Sequence, residues 1–332
     1  MNASIEEFDI IERYFAGKIK FTHENILLGP GDDCAIFTVP GTQAMCISTD
    51  TLIEGTHFPE NCAADIVAHR SLVANLSDLA AMGAKPFAYT LALTLDKKSA
   101  SHTWLETFSR TLDLLGNEYA IPLIGGNLAS GNLSLTFTVM GTVNESEGIK
   151  RSGALAGDDI YVTGYLGDAA GGLKIIQAGD QQERFTDPKA QLVTRFNYPT
   201  PRIAIGQALN HVAHAAVDIS DGFAADLSHI CKSSGVAAEV ELELIPVSDS
   251  LTASFGLDEA QLLAIGGGDD YELCFTAAPE EANVVKQISR DTGVPITRVG
   301  SVVGSAHAEV DVVVRNQRGE DVSIGIKGYR HF

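Results

Sequence analysis

The spacing of apolar residues along the first half of the chain predicts alternating helices and strands. Helical spacing runs from Ala63 to Met82, where Gly83 and Pro86 supply a stop signal, and again from Thr103 to Tyr119. A short amphipathic helix is predicted from Ser4 to Phe15, and β-type runs predict a hairpin of 35–40 with 44–50 and further strands at 87–95, 121–124 and 133–143. Helices mixed with strands in this order are typical of an α/β domain.

The second half repeats the alternation after a polar segment, 144–157, that is rich in Gly, Ser and Glu. At 332 residues the chain is long for one core and sufficient for two. We therefore predict an N-terminal α/β domain at 1–148 and a C-terminal mixed α/β domain at 149–332. The elements predicted in the second half are strands from Asp159, at 215–219, at 237–242 and from Tyr271, helices at 223–231, 258–264 and 280–292, and terminal strands.

Charge and cysteine content exclude several classes of function. The net charge of −20 and the pI of about 4.7 disfavour binding to nucleic acid or to an anionic membrane, because the sequence contains no cluster of Lys and Arg. The five cysteines are odd in number and lack metal-ligand spacing, which indicates reduced thiols: Cys34, Cys46, Cys62, Cys231 and Cys274. No apolar run is long enough to span a bilayer. We expect a cytoplasmic protein with neither a nucleic-acid nor a membrane partner.

The sequence contains no Walker-type phosphate loop of the form G-x-x-x-x-G-K-[ST]. The segment from Asp159 does place Gly164, Gly167 and Gly171 between a strand and a helix, but their spacing does not fit G-x-G-x-x-G. A tight turn is the favoured interpretation of these glycines, and contact with a phosphate is the alternative.

Candidate chemistry lies in short acidic motifs at the ends of predicted strands. The motifs are GPGDDCAIF with Asp33, ISTDTLIEGTHF with Asp50, NLSDLAAMGAKP with Asp78 and AVDISDGF with Asp218. A lone Asp at such a place is usually a turn or cap residue. Asp78 and Asp218 are flanked by apolar residues, where a carboxylate is costly unless it has a partner such as a cation. Ser220 and Asp221 could instead cap the helix predicted near Phe223.

Oxygen ligands without a His or Cys group suit Mg²⁺ rather than zinc. Magnesium in turn suggests nucleotide phosphates. The acidic motifs, with LIGGN, GGGDDYELCF and the closing KGYRHF, resemble in order and along nearly the whole chain the thiamine-monophosphate kinase family. Each motif alone is a weak signal, whereas the ordered set is highly specific.

The resemblance implies the two-domain fold of the aminoimidazole-ribonucleotide synthetase superfamily. Its members are homodimers whose N-terminal domains pair strands across the dimer into a barrel, with ATP bound by the N-terminal domain in a cleft against the C-terminal one. The implied reaction is the ATP-dependent phosphorylation of thiamine monophosphate to thiamine diphosphate, the last step of thiamine diphosphate biosynthesis.

The resemblance also implies a set of site residues at matching positions. Ligands to several Mg²⁺ ions that bridge the ATP phosphates would be Asp33, Ser48, Thr49, Asp50, Asp78, Asn127, Asp218 and Asp221. Contacts to ATP would come from Gly126, Asn127, Arg151 and Ser220, and contacts to the substrate from His57, Asp269 and Tyr329. The alternative for His57 is a turn residue without a chemical role.

Three positions depart from the family pattern. The usual GGD is Gly125-Gly126-Asn127 here, the usual GGED is Gly267-Gly268-Asp269-Asp270, and a Trp common before the C-terminal KGY is Ile326. One metal ligand thus loses its charge and one substrate contact is a methylene shorter, although both keep an oxygen. For Asn127 the alternative is a residue that tolerates a left-handed turn after two glycines.

The acceptor phosphate is already anionic, so in-line transfer requires no general base, and we expect no phospho-enzyme. Divalent ions and Arg151 would offset the repulsion between the phosphates. Selenophosphate synthetase is disfavoured because no reactive Cys and Lys stand near the start of the chain. The hydrogenase-maturation carbamoyl dehydratase is disfavoured because its terminal cysteine has no counterpart beside Phe332. A purine-type ligase and a non-catalytic metal- or nucleotide-binding module remain alternatives. Contacts to adenine and thiazole, a potassium requirement and regulation stay open.

Overall fold

The computed structural model describes residues 13–14, 26–28, 36–39, 41–144, 148–179, 187–304 and 312–322. Asp33, Tyr329 and the predicted opening helix apart from residues 13 and 14 lie outside the described residues. The chain divides into two compact units, the first comprising Met1–Leu79 and Ala84–Ser146 and the second comprising Ala80–Gly83 and Glu147–Phe332. Each unit combines helices with a β-sheet, which confirms the predicted mixed α/β fold.

The first unit is built on a four-stranded sheet in the order β3-β6-β4-β5. Its strands are β3 Gln43–Ile53, β4 Lys85–Leu95, β5 Leu123–Ser130 and β6 Ser134–Asn144. Its helices are α2 His102–Glu118 and all but the last two residues of α1 Ala64–Ala81. Two short strands, β1 Ile26–Leu28 and β2 Ile36–Phe37, form a separate antiparallel pair. The helices predicted at 63–82 and 103–119 are confirmed to within one residue at each end.

The hairpin predicted between 35–40 and 44–50 is wrong. Instead, β2 pairs with β1, and β3 pairs with β6 along its whole length, from Gln43 opposite Asn144 to Ile53 opposite Ser134. Both strands contain eleven residues, so this long-range pairing satisfies far more backbone groups than a short local hairpin would.

The two faces of this sheet differ. Leu91 and Phe137 are buried on the face that also carries Ser48, whose side chain contacts α1. The opposite face carries Thr49 and Thr51, which are exposed and pair with threonines of β6. We call this second surface the open face of the sheet.

The second unit is built on a six-stranded sheet in the order β12-β9-β11-β7-β10-β8. The strands are β7 Asp159–Thr163, β8 Ala213–Ile219, β9 Val236–Glu241, β10 Glu272–Ala277, β11 Ile296–Gly304 and β12 Val312–Arg315. The helices are α3 Asp168–Gln177, α4 Pro188–Asn197, α5 Ile203–Ala208, α6 Phe223–Ser234, α7 Asp249–Phe255, α8 Leu257–Gly266 and α9 Ala282–Thr292. All six residues of β10 are buried, and its neighbours β7 and β8 run antiparallel to it. This strand therefore fixes the position of the loops at its ends.

In the parts of the chain that the structure describes, no helix combines the length and apolar character required to cross a membrane.

Candidate functional site

The first group of candidate residues lies where β3 meets α1. The Ser48 hydroxyl donates to Asp78 Oδ2 at 2.5 Å, and the Asp50 backbone N–H donates to Asn75 Oδ1 at 3.2 Å. Asn75 and Asp78 are three residues apart in α1, so both side chains project from the same side of the helix. The strand and the helix are thereby joined at two points, and the carboxylate of Asp78 is brought to the β3 segment that carries Asp50.

Asn75 has a structural role that the sequence interpretation missed. Its side chain is fully buried, and its amide nitrogen donates to the Ser71 carbonyl at 2.9 Å while its oxygen holds the backbone of β3. The sequence signal that could have identified Asn75 was its position about one helical turn before the candidate ligand Asp78.

Thr49 points away from this group, onto the open face. Its Oγ1 lies 3.0 Å from Thr138 Oγ1. The strand register places Gly126 beside Leu91 and Asn127 beside Ala92. Ala92 in turn lies beside Thr136 of β6, which belongs to the open face. Asn127 therefore shares the open face with Thr49, whereas Gly126 lies in the row of the buried face.

The segment around Asn127 is a strand rather than a turn. Gly125, Gly126 and Asn127 belong to β5 and do not adopt positive φ, so the left-handed turn suggested as the alternative is wrong. Gly126 is required for a different reason: a Cβ there would lie 2.0 Å from the Leu91 carbonyl oxygen. Glycine permits the close approach of β5 to β4.

His57 is half-buried in the turn after β3. Its Nδ1 accepts a hydrogen bond from the Ile53 N–H at 3.0 Å, and its backbone N–H donates to the Ile53 carbonyl at 2.9 Å. Nδ1 acts here as an acceptor, so this ring is the neutral tautomer with its proton on Nε2. The turn fixes the ring, and the substrate contact predicted for it stays a prediction.

The second group lies in the second unit, in the loop between β8 and α6. Asp218 is on the last part of β8, opposite Leu273 of β10, and is only 5% exposed. Ser220 and Asp221 follow and are half-buried. They do not cap α6 as the alternative proposed: the cap residue is Gly222, with φ of 123° and no side-chain cap hydrogen bond.

Asp226, which the sequence interpretation missed, holds this loop from the first turn of α6. Its Oδ2 accepts hydrogen bonds from the backbone N–H groups of Ser220, Asp221 and Gly222 at 3.0, 3.1 and 3.1 Å. Burial raises the pKa of Asp226 to about 7, an effect that the three N–H donors oppose.

The loop before β10 packs against the loop between β8 and α6. The Asp269 N–H donates to the Ser220 carbonyl at 2.9 Å, and the Tyr271 N–H donates to the Ile219 carbonyl at 2.8 Å. Asp269 and Tyr271 have φ of 68° and 50°, and the Tyr271 hydroxyl donates to Asp269 Oδ1 at 2.9 Å. Two left-handed residues without the freedom of glycine store strain, which is common at functional sites.

A buried charge network supports this second loop. Arg195 donates to the Asp270 carbonyl at 2.7 Å and to Glu272 Oε1 at 2.5 Å. Arg202 Nε donates to Glu272 Oε2 at 2.6 Å, and Thr163 Oγ1 donates to the same oxygen at 2.6 Å. Glu272 is buried, so its charge is balanced by guanidinium groups rather than by water.

The contacts of Asp270 show whether the glycine segment that includes Gly167 forms a tight turn or contacts a phosphate. Its carboxylate accepts from Gly167 N–H at 2.7 Å and from Ala169 N–H at 3.4 Å, at the N-terminus of α3. Complete burial raises its pKa well above the usual range of an aspartate. A protein carboxylate thus occupies the position that a phosphate would take, and the tight turn predicted for Gly167 is confirmed by its φ of 85°.

Arg151 is exposed in the segment before β7. Its carbonyl accepts from the Ser234 hydroxyl at 3.3 Å, while Ser234 Oγ accepts from Gly153 and Ala154 N–H, each at 3.1 Å. The backbone of this segment is thereby fixed, and the guanidinium lies at the surface.

The candidate metal ligands fall into separate sets. The described candidates of the first unit are Ser48, Thr49, Asp50, Asp78 and Asn127, and those of the second unit are Asp218 and Asp221. Among the described residues, no cluster of three or more His, Cys, Asp or Glu could hold a metal ion. The donors are carboxylate and hydroxyl oxygens, which fit Mg²⁺ when phosphate oxygens and water complete its coordination.

Comparison with known proteins identifies both halves of the chain. Residues 31–143 match the N-terminal domain of AIR synthase related proteins, and residues 156–313 match the C-terminal domain. The thiamine-monophosphate kinase of Salmonella typhimurium strain LT2 is 43% identical over 98% of each chain.

Solved structures give the same result. The crystal structure of thiamine-monophosphate kinase from Stenotrophomonas maltophilia K279a has a TM-score of 0.86 and 40% identity, covering 96% of this chain and 98% of that one. A structure described as AaThiL complexed with AMPPCP and TMP has a TM-score of 0.76 and 26% identity, covering 100% of this chain and 99% of that one.

Proposed function

Because the chain belongs to the thiamine-monophosphate kinase family of AIR synthase related proteins, we propose that it transfers the γ-phosphate of ATP to thiamine monophosphate. The products are thiamine diphosphate and ADP, and the reaction completes the synthesis of thiamine diphosphate. The observation that carries the proposal is the similarity along 98% of both chains to an enzyme with this activity. The acidic motifs at the ends of strands and helices agree with it.

Magnesium is the metal that this donor set fits best. The hydroxyl of Ser48 and the carboxylates of Asp50 and Asp78 would hold an ion in the first unit, and Asp218 and Asp221 would do so in the second. Asn127 lies on the open face, away from the side chain of Ser48, and would serve a different ion. When bound, Mg²⁺ neutralises phosphate charge and orients the reacting groups.

The chain's own residues position the two phosphates. Arg151 and Ser220 are the proposed ATP contacts of the second unit, and Gly126 and Asn127 are those of the first. His57 and Asp269 are the proposed contacts to thiamine monophosphate, and Tyr271 fixes Asp269 through its hydroxyl. The acceptor oxygen carries its own negative charge, so no side chain has to remove a proton from it.

We propose a homodimer formed through the open face of the first unit. On β3 this face exposes Ile47, with 64% of its surface accessible, and Ile53, with 41%. Between them stand Thr49 and Thr51, each paired with a threonine of β6. Exposed isoleucines on an edge strand are unusual in a monomer. Their apolar side chains are stabilised by burial against another chain, and the unpaired backbone groups of the edge can form hydrogen bonds to it. Light scattering of Ile47→Asp against wild type tests the proposal, and a monomeric wild type refutes it.

We propose a cytoplasmic location. Cys46, Cys62, Cys231 and Cys274 are free thiols, as a reducing compartment requires.

The activity is tested by measuring ADP and thiamine diphosphate with ATP, Mg²⁺ and thiamine monophosphate. We expect the two products in equal amounts and no turnover with unphosphorylated thiamine, which lacks the phosphate acceptor. ATP hydrolysis at the same rate with and without thiamine monophosphate would contradict the proposal.

A further inference from the structure

Asp226 has a role that its place in the sequence does not reveal. It is 3% exposed and stands in the first turn of α6, four to six residues after the N–H groups that it binds. A capping side chain normally precedes the helix and accepts from the helix's own N–H groups. Asp226 does the reverse, because it reaches back and accepts from the loop that enters the helix.

The hydrogen bonds of Asp226 continue into the loop before β10, which carries Asp269; we call this loop and the loop between β8 and α6 the two acidic loops. Ser220 is held on both sides: its N–H donates to Asp226, and its carbonyl accepts from the Asp269 N–H at 2.9 Å. The approach is close, since a Cβ at Gly268 would lie 2.3 Å from the Ser220 carbonyl oxygen. A shift of the peptide at Ser220 would therefore displace both Asp221 and Asp269.

We infer that Asp226 is a positioning residue, which sets the places of the proposed metal ligand Asp221 and of the proposed substrate contact Asp269 together. This inference rests on the proposed function. We assign Asp226 no direct contact with metal or substrate, because its Oδ2 accepts three backbone N–H groups inside the unit. It acts on the reaction through the geometry of the two loops.

The test compares Asp226→Asn with Asp158→Asn. Asp158 is a matched control, because it lies in the same unit and is also 3% exposed. Its carboxylate accepts hydrogen bonds from the Leu155 backbone N–H and from the His214 ring. Binding of Mn²⁺, a paramagnetic substitute for Mg²⁺, is titrated by electron paramagnetic resonance with a non-hydrolysable ATP analogue present. The KM for thiamine monophosphate is measured alongside.

In Asp226→Asn a neutral amide oxygen accepts more weakly and the new NH₂ group brings a donor toward the N–H groups of the loop, so we expect Mn²⁺ affinity to fall about tenfold or more, as when the support of a metal ligand is weakened. The KM for thiamine monophosphate should rise as well, because Asp269 moves with the loop. Asp158→Asn should lose stability without either change. Equal Mn²⁺ affinity and KM in the two variants would overturn the inference. Wild-type protein without kinase activity would instead refute the proposed function.

A second measurement does not depend on the variant folding. In wild type, the N–H groups of Ser220, Asp221 and Gly222 should exchange slowly with deuterated water, although they lie in a loop. Exchange at the rate of solvent-exposed loop amides would show that Asp226 does not hold the segment, and would also overturn the inference.

Discussion

Gly268→Ala tests how closely the two acidic loops depend on each other. The Cβ of alanine would lie 2.3 Å from the Ser220 carbonyl oxygen, which belongs to the backbone and cannot rotate away. Since non-bonded heavy atoms rest at about 3.5 Å from each other, the loops would have to separate by about 1 Å. The Asp269 N–H to Ser220 carbonyl hydrogen bond, now 2.9 Å, would then be lost.

The cost follows from these two effects. Overpacking contributes about 1–3 kcal/mol and the lost hydrogen bond about 1 kcal/mol, so the free energy of unfolding should fall by about 2–4 kcal/mol. Displacing loops that carry Asp221 and Asp269 by about 1 Å should also lower kcat/KM by about a hundredfold. Thermal unfolding by calorimetry and the kinase assay measure the two losses separately.

Gly304→Ala is the control. Gly304 ends β11 without positive φ, and a Cβ added there would have no atom within 4 Å, so an alanine meets open space. Its effect on stability should stay within about 0.5 kcal/mol. If Gly268→Ala were as stable and as active as Gly304→Ala, the two loops would not be coupled in the way described.

Three further predictions concern ligands and thiols. Asp50→Asn or Asp78→Asn should lower kcat by orders of magnitude with an unchanged circular dichroism spectrum; near wild-type turnover would show that these residues are not ligands. Asn127→Asp should lower the free Mg²⁺ needed for half-maximal rate, because a carboxylate adds charge to the site; superimposable Mg²⁺ titrations would exclude contact with the metal. Burial raises the pKa of Cys62 to about 11, so its thiolate at pH 7 is scarcer than that of an ordinary thiol. Its iodoacetamide labelling, followed by mass spectrometry, should be slow and should accelerate as pH rises toward 11; rapid labelling at pH 7 would contradict this.

The sequence predicted those parts of the fold that depend on local periodicity. Helix α1 shows why, since its apolar spacing and the stop signal at Gly83 are both local, and Gly83 does adopt a positive φ of 64°. The failed hairpin shows the limit of such reasoning. The partner of β3 is β6, which lies about ninety residues further on, and no local pattern specifies that pairing.

Helices α4, α5 and α7 were not predicted, because their local sequence pattern is too weak to specify them. They are only six to ten residues long, so the apolar stripe on each contains few residues. Packing stabilises such helices more than their own propensity does. The sequence analysis also missed Arg195 in α4 and Arg202 just before α5. Their partner Glu272 is 77 and 70 residues away along the chain, so no local pattern connects them.

Asp269 and Asp270 show why the candidate site could be predicted only in part. As neighbours in the sequence they look alike, yet Asp269 is half-buried with positive φ, whereas Asp270 is wholly buried and accepts the Gly167 N–H. The left-handed turn at Asp269 sends the two side chains to different surroundings. Because the Asp270 carboxylate is bound at a helix N-terminus inside the unit, Asp269 is the member of the pair that we propose as the substrate contact. That assignment requires the backbone conformation, which no pattern of residue types contains.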